Sequence, residues 1–170
     1  MTVRRITAAL IALLSISASA CDGDDDDDEE YEATLTATAE IPAPAGSPTA
    51  TGEAHLELED RVLSVLVEVD GQLTSDVSMA HIHGPATTST TAGIVLNFVP
   101  PMTAVIDAGT RTGTIVNASF DLDALAVSAT GVLRINPDTL IAFLNSGRAY
   151  VNVHTATNAT GEIRGQVIRD

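Results

Sequence analysis

Three histidines have the spacing of a metal site. His81 and His83 are separated by one residue in a predicted strand, so both imidazoles leave the same face about 7 Å apart along the chain. His154 lies in a later predicted strand, where the alternation of apolar and polar residues turns Asn152 and His154 away from the core. If the two strands are neighbours, three neutral imidazoles converge. Such a ligand set suits copper or zinc and leaves one coordination position open, and we expect copper rather than zinc.

The same residues have a purely structural interpretation. His81, His83 and His154 can equally be surface or half-buried groups whose ring nitrogens bond loop carbonyls. Asn152 is interpreted either as a residue that orients a ligating imidazole or as the source of a structural hydrogen bond. The fourth histidine, His55, alternates with acidic residues and is predicted to lie on the solvent face.

Strands must position these residues, because apolar and polar residues alternate through most of the chain after residue 32. One segment differs: Asn136 resembles a helix N-cap, Pro137 the first helical residue and Gly147 a helix end. The predicted fold is all-β, an antiparallel β-sandwich or Greek-key barrel of immunoglobulin-like or superoxide-dismutase-like form, with one short helix before the last hairpin. Strands are predicted at residues 33–39, 54–58, 62–69, 77–83, 94–99, 112–120, 125–133, 149–154 and 162–168.

The N-terminus predicts export. Residues 1–20 have two arginines, an apolar stretch and a small-residue cleavage zone, as in a signal peptide. The single cysteine, Cys21, follows directly in Ala18-Ser19-Ala20-Cys21, which resembles the lipobox of bacterial lipoproteins, although Ala18 stands where a larger aliphatic residue is usual. The resemblance implies cleavage before Cys21, acylation of that residue and attachment to a bacterial membrane, facing the periplasm or the cell surface. The alternative is an ordinary secreted protein with a free thiol.

An acidic segment, residues 21–32, separates Cys21 from the predicted domain at residues 33–170. Its carboxylates repel one another, so we predict a solvated tether. The net charge of −15, from eight arginines and 23 acidic residues, repels phosphate backbones and argues against nucleic-acid binding. No nucleophile elbow or phosphate-binding loop is present, so hydrolysis and phosphoryl transfer lack the required residues.

Three motifs resemble the chordin-domain (CHRD) family. They are Glu40-Ile41-Pro42, the stretch AHIHGPA at residues 80–86, and YVNVHT at residues 150–155 leading to GEIRGQ at residues 161–166. The resemblance covers the chain from about residue 31 to its end and implies an exported domain. We therefore expect a lipid-anchored, extracytoplasmic binding module of the bacterial cell envelope, without catalysis, whose partner is the membrane together with an envelope protein or matrix component.

A second resemblance concerns the metal site. In Cu/Zn superoxide dismutases a His-x-His strand and a later strand histidine bind copper, and a late arginine guides the anionic substrate. The matching positions are His81, His83, His154 and Arg164. The stretch 84–93 has no histidine for a bridging ligand, and the disulfide is absent. A copper-binding protein of this type, using a three-histidine site, is the alternative function.

Overall fold

Strands with alternating buried and exposed residues dominate the structure, a computed structural model that describes residues 28–98, 111–126, 128 and 130–170. In the second strand every even-numbered residue from 52 to 58 is buried and every odd-numbered one is exposed. The strands are β1 Glu29–Thr36, β2 Thr51–Glu59, β3 Val62–Asp70, β4 Val77–His83, β5 Ile94–Asn97, β6 Gly113–Asp121, β7 Tyr150–Thr155, β8 Ile163–Gln166 and β9 Ile168–Arg169; the helices are α1 Leu122–Ala126 and α2 Pro137–Asn145.

All strands pair antiparallel in one curled sheet, in the order β5-β4-β7-β8-β1-β2-β3-β6, with β9 beside β1. The two halves of the sheet meet where β8 joins β1, and this junction has a single residue pair, Thr36 with Arg164. Apolar side chains from both halves, such as Leu35, Val67 and Ile82, form one hydrophobic core. The predicted all-β class is confirmed, and the curled sheet is consistent with a sandwich.

The predicted helix forms as expected. The Asn136 side chain accepts a hydrogen bond of 2.8 Å from the backbone N–H of Asp138, so Asn136 is the N-cap and Pro137 opens α2. Leu140 and Leu144 are fully buried on the inner face of the helix. None of the described helices is long and apolar enough to cross a membrane.

The strand predicted at 125–133 is wrong. Helix α1 occupies the start of this segment, because the Asp121 carboxylate accepts the backbone N–H of Ala124 and caps a helical turn at the end of β6. Leu122 anchors that turn in the core. Among the described residues of the predicted strand, only Leu133 is paired, through an isolated bridge to Leu96.

The first strand starts earlier than predicted, at Glu29, within the segment assigned to the tether. The alternation continues into the acidic residues, since Tyr31 is buried while Glu30 and Glu32 face solvent. Pairing with β2 therefore orders this stretch without burying charge. The strand ends at Thr36, before a 3-10 turn at Ala37–Ala39. The predicted signal peptide, Cys21 and tether residues 21–27 lie outside the described residues.

Candidate metal centre

The two histidine-bearing strands, β4 and β7, are neighbours in the sheet. Their register places Met79 opposite His154, His81 opposite Asn152 and His83 opposite Tyr150. Because cross-strand partners point to the same face, the three imidazoles lie side by side, with one ligand atom of each within 4.8 Å of the others. The convergence expected from the sequence is present, across 73 residues of chain between His81 and His154.

The alternation predicted that the imidazoles lie on the outside of the sandwich. They are buried instead. The exposed fractions of His81, His83 and His154 are 1%, 8% and 6%. Loops cover this face of the sheet: the carbonyl of Ala92 reaches His83 and the carbonyl of Ala159 reaches His154. The period of a strand reports which face a side chain leaves, but not whether a loop then closes over that face.

The backbone carbonyls fix the tautomers of two imidazoles. Nδ1–H of His83 donates to the Ala92 carbonyl at 3.0 Å, and Nδ1–H of His154 donates to the Ala159 carbonyl at 3.1 Å. In both rings this leaves a bare lone pair on Nε2. Metal-binding histidines have the same arrangement, in which the second nitrogen bonds a carbonyl and orients the ring.

The third imidazole completes the group. Nδ1 of His81 lies 3.2 Å from Nε2 of His154, close to the separation of roughly 3.3 Å that two nitrogens keep on one tetrahedral ion. Without an ion, His81 donates to His154 across this distance, which leaves Nε2 of His81 as a lone pair. The Nε2 atoms of His81 and His83 are buried and have no hydrogen-bond partner.

Burial keeps these imidazoles neutral. It lowers the pKa of His81 to about 3, helped by repulsion from His154 and His83. It lowers the pKa of His83 to about 4, against the opposing hydrogen bond to Ala92. The pKa of His154 is lowered by the same desolvation. Neutral imidazole is the form that binds metal, so all three residues are ready to ligate at neutral pH.

A buried glutamate holds the loop that orients His154. Glu162 is fully buried and accepts hydrogen bonds from Thr74, Thr155 and Asn158. Burial raises the pKa of Glu162, but these hydrogen bonds outweigh it and leave the pKa below its ordinary value. The carboxylate thereby ties the residues around Ala159 to β7 and to the loop after β3.

Arg164 and Asn152 are buried beside the histidines, with exposed fractions of 1% and 2%. Arg164 donates from Nη2 to the carbonyls of Thr87 and Thr90, at 2.9 and 2.8 Å, and its Cζ lies 3.8 Å from the centre of the Tyr150 ring. This position does not fit a surface cation that guides anions. The hydrogen bonds that orient the imidazoles come from backbone carbonyls, and the Asn152 amide instead lies against Glu40.

Glu40 and Tyr150 were not predicted as site residues, yet both lie in this group. Tyr150 stacks on His83, with ring centres 4.8 Å apart and planes within 3°. Glu40 is 5% exposed, and burial raises its pKa against the opposing effects of the Ile41 N–H, Arg164 and Asn152. The only signal for Glu40 in the sequence is its place in the quoted motif Glu40-Ile41-Pro42.

These side chains form a buried polar layer, which we define as His81, His83 and His154 with Glu40, Tyr150, Asn152, Arg164 and Gln166. Among the described residues, six buried side-chain atoms have no hydrogen-bond partner, and all six belong to this layer: Glu40 Oε2, His81 Nε2, His83 Nε2, Asn152 Oδ1, Arg164 Nη1 and Gln166 Oε1. Buried polar atoms are normally satisfied, so such a concentration indicates a place for an ion or ordered water.

Surface grooves lie elsewhere. Two shallow grooves, of about 400 and 480 Å³, are formed by β1, β2, β3 and β6, on the half of the sheet that does not carry the metal-site histidines. Residues such as Glu32, His55 and Glu57 line the first groove, and His55 lies 3.4 Å from the Glu32 carboxylate. His55 is therefore a surface residue, as the sequence predicted.

A family model for the CHRD domain matches residues 31–167, which is most of the chain. The chain belongs to the CHRD domain family. No curated protein and no solved structure shows significant similarity to it. In this CHRD domain the three quoted motifs, which are distant in sequence, meet in the polar layer: the first supplies Glu40, the second His81 and His83, and the third Tyr150, His154 and Arg164.

Proposed function

We propose that this CHRD domain is an extracytoplasmic binding module whose ligand is one transition-metal ion, held by His81, His83 and His154, with copper preferred over zinc. One observation carries the proposal: carbonyl hydrogen bonds point the Nε2 lone pairs of His83 and His154 into a buried cluster that His81 completes. The bound ion would supply the electrophilic centre, and the protein would supply neutral, oriented imidazoles and exclusion of water.

The size of the cluster favours an ion over an organic ligand. The ligand nitrogens lie within 4.8 Å of one another, whereas nitrogens that share one ion at 2.0–2.1 Å are at most about 4 Å apart. Ligands on a tetrahedral ion are roughly 3.3 Å apart, so binding requires a contraction of at most about 1.5 Å, within reach of small side-chain rotations. Cys21 is the only cysteine in the chain, so a clustered-cysteine site of the usual zinc type is excluded.

A direct titration tests the proposal. The purified full chain, stripped with a chelator, is titrated with copper in the presence of a competing chromophoric chelator. We expect one tightly bound ion per chain, and nitrogen hyperfine structure from several imidazoles in the electron paramagnetic resonance spectrum of Cu(II). His83→Ala should weaken binding by about 100-fold or more, since loss of an outer hydrogen bond alone costs 10–100-fold.

The acidic residues at 22–32 require a control, because they bind cations weakly in any variant. His55→Ala removes an exposed imidazole beside Glu32 and Glu53 and leaves the three-histidine cluster intact. Its affinity should equal that of the parent. Weak binding that is the same in the parent, His55→Ala and His83→Ala would leave the acidic segment as the binder and remove the proposed site.

The cellular location of the protein is part of the same proposal. We infer export and lipid anchoring at Cys21 from the signal-like residues 1–20 and the lipobox resemblance, and membership of an extracellular binding-module family supports the assignment. An envelope protein or matrix component is the expected macromolecular partner. Cys21→Ser should move the protein from the membrane fraction to the soluble fraction and abolish incorporation of labelled fatty acid. The lipid anchor would be rejected if Cys21→Ser stayed in the membrane fraction and the parent incorporated no labelled fatty acid.

A further inference from the structure

The ligand group carries no charge of its own. It contains three imidazoles, and among the described residues no carboxylate or thiolate joins them. An ion in this group would therefore keep its full charge within a buried layer of low dielectric. Divalent ions are usually stabilised in proteins by anionic ligands or neighbours, so the charges around this cluster determine which ion it favours.

A buried cation lies next to the cluster. In the polar layer the rings of His83 and Tyr150 are stacked, and the Arg164 guanidinium stacks on Tyr150. The two stacking distances place Arg164 Cζ at most about 9 Å from the centre of the His83 ring, a separation at which unit charges in protein still interact appreciably. Two backbone carbonyls and the ring hold Arg164 in place, so it cannot swing away from a bound ion.

The remaining charged groups near the imidazoles do not offset Arg164. Arg134 is exposed and acts on His81 and His83 with the same sign as Arg164. Glu40 is the acidic group that acts on Arg164, but its own burial favours its neutral form. Glu162 is ionised, held by hydrogen bonds from Thr74, Thr155 and Asn158, but it is not among the charges that shift the pKa of the three imidazoles. Among the described residues, the charged side chains other than histidine that act on His81 and His83 are therefore the cations Arg134 and Arg164.

We propose that Arg164 determines the ion selectivity of this site, making it prefer monovalent Cu(I) over divalent Zn(II) and Cu(II). The inference rests on the proposed function, because it presupposes that the three histidines bind a metal. A fixed positive charge opposes a divalent ion about twice as strongly as a monovalent one at the same position. Three neutral imidazoles with no anionic ligand are an adequate set for Cu(I), which needs less charge compensation.

The edge of the site also fits a soft ion. Met79 stands opposite His154 in the β4–β7 register and is 40% exposed, whereas the histidines are almost fully covered. It is one of two large apolar side chains that are exposed among the described residues. A thioether is a soft ligand that favours Cu(I), and the register puts Met79 next to His154.

The test compares two ions in four proteins. The affinities of the full chain for Cu(I) and Zn(II) are measured by competition with chelators, and the ratio of the two affinities is the readout. Arg164→Met removes the charge and keeps an unbranched apolar stem, Arg164→Lys keeps the charge and loses the fork geometry, and Arg169→Met removes an exposed arginine that pairs with Glu29 on β1.

We expect Arg164→Met to lower the Cu(I)/Zn(II) affinity ratio by about tenfold or more, while Arg164→Lys and Arg169→Met stay within about threefold of the parent. The midpoint potential of the bound copper, measured in parallel, should be lower in Arg164→Met. It should fall by about 59 mV for each tenfold decrease in the ratio of the Cu(I) and Cu(II) affinities. Damage to the fold would weaken the binding of both ions together and leave the ratio of their affinities unchanged, so it would not produce this result.

Two results would overturn the inference while sparing the proposed function. One is tight metal binding with the same ratio in the parent and Arg164→Met. The other is an equal drop in Arg164→Lys, which would assign the effect to packing rather than charge. Absence of tight binding of either ion in the parent is a separate outcome and rejects the metal site itself.

Discussion

Acidification of the metal-free protein should destabilise it above the pH range in which carboxylates titrate. His81 and His83 accept protons near pH 6.5 in the unfolded chain but only near pH 3 and 4 in the folded one. The folded state binds fewer protons throughout this interval, so its stability is complete above pH 6.5 and is lost as the pH falls. Both side chains are buried, so solvent does not screen the effect.

The size of this loss in the free energy of unfolding follows from the linkage between proton binding and folding. At about pH 5 the unfolded state gains about 2 kcal/mol from each protonated imidazole, or about 4 kcal/mol from the two, at 1.36 kcal/mol per unit of pKa difference. The pKa of His154 is lowered in the same direction and adds to this loss. A typical domain has a free energy of unfolding of about 5–15 kcal/mol, so the change is a large part of the total.

Urea denaturation in the presence of a chelator, at about pH 7, 6 and 5, measures the effect by linear extrapolation. The series ends at pH 5 because the pKa of Glu162 is lowered in the folded state. The stabilisation from Glu162 is complete above the ordinary glutamate pKa and is lost as the pH falls below it, which would add to the effect of the histidines. His83→Gln should recover about 2 kcal/mol of the loss between pH 7 and 5. His55→Gln, at an exposed position, should leave the pH dependence of the parent unchanged.

A free energy of unfolding that is the same at pH 7 and 5 would refute the reasoning, because it would mean that the three imidazoles take up protons without unfolding. A pH dependence that disappears in His55→Gln and persists in His83→Gln would assign the effect to the surface and contradict the buried cluster.

Three further predictions concern the elements that hold the site. Gly161→Ala should destabilise the protein by about 3 kcal/mol in urea denaturation, because a Cβ there would meet the Asn152 amide at 2.6 Å with φ at +130°; Gly93→Ala, with open space around it, should cost less than about 0.5 kcal/mol. Glu162→Gln should cost about 2–4 kcal/mol, since an amide cannot accept all of its hydrogen bonds, whereas a loss below about 0.5 kcal/mol would contradict a structural role. Asn136→Ala should lower thermal stability by about 1 kcal/mol through loss of the N-cap, and an unchanged melting temperature would argue against that cap.

The fold was largely predictable because alternation along the strands is strong. β4 has the predicted bounds, and the predicted strands at 54–58, 62–69 and 112–120 correspond to β2, β3 and β6. The failure at 125–133 has a local cause, since the capping carboxylate of Asp121 starts a helical turn that a period of two cannot reveal. The early start of β1 has another cause, because acidic residues are compatible with a strand whose polar face is open to water.

The three candidate ligands were predictable from the sequence, but their environment was not. Spacing and alternation identified His81, His83 and His154 as side chains that could meet, because register is a property of the strand pair. Their burial depends on loops 84–93 and 156–161, whose path no periodicity describes. The burial of Arg164 was not predicted, because it rests on carbonyls and a ring that only the folded chain brings together.

The pairing of β4 with β7 also sets a condition for the proposed metal binding, because the three candidate ligands come together only in the folded chain. A nascent or unravelled polypeptide presents only the neighbouring His81 and His83, and the remaining ligand is delivered when the last hairpin docks. An ion held as proposed would therefore bind tightly only after this hairpin has docked, and separation of β7 from β4 would release it.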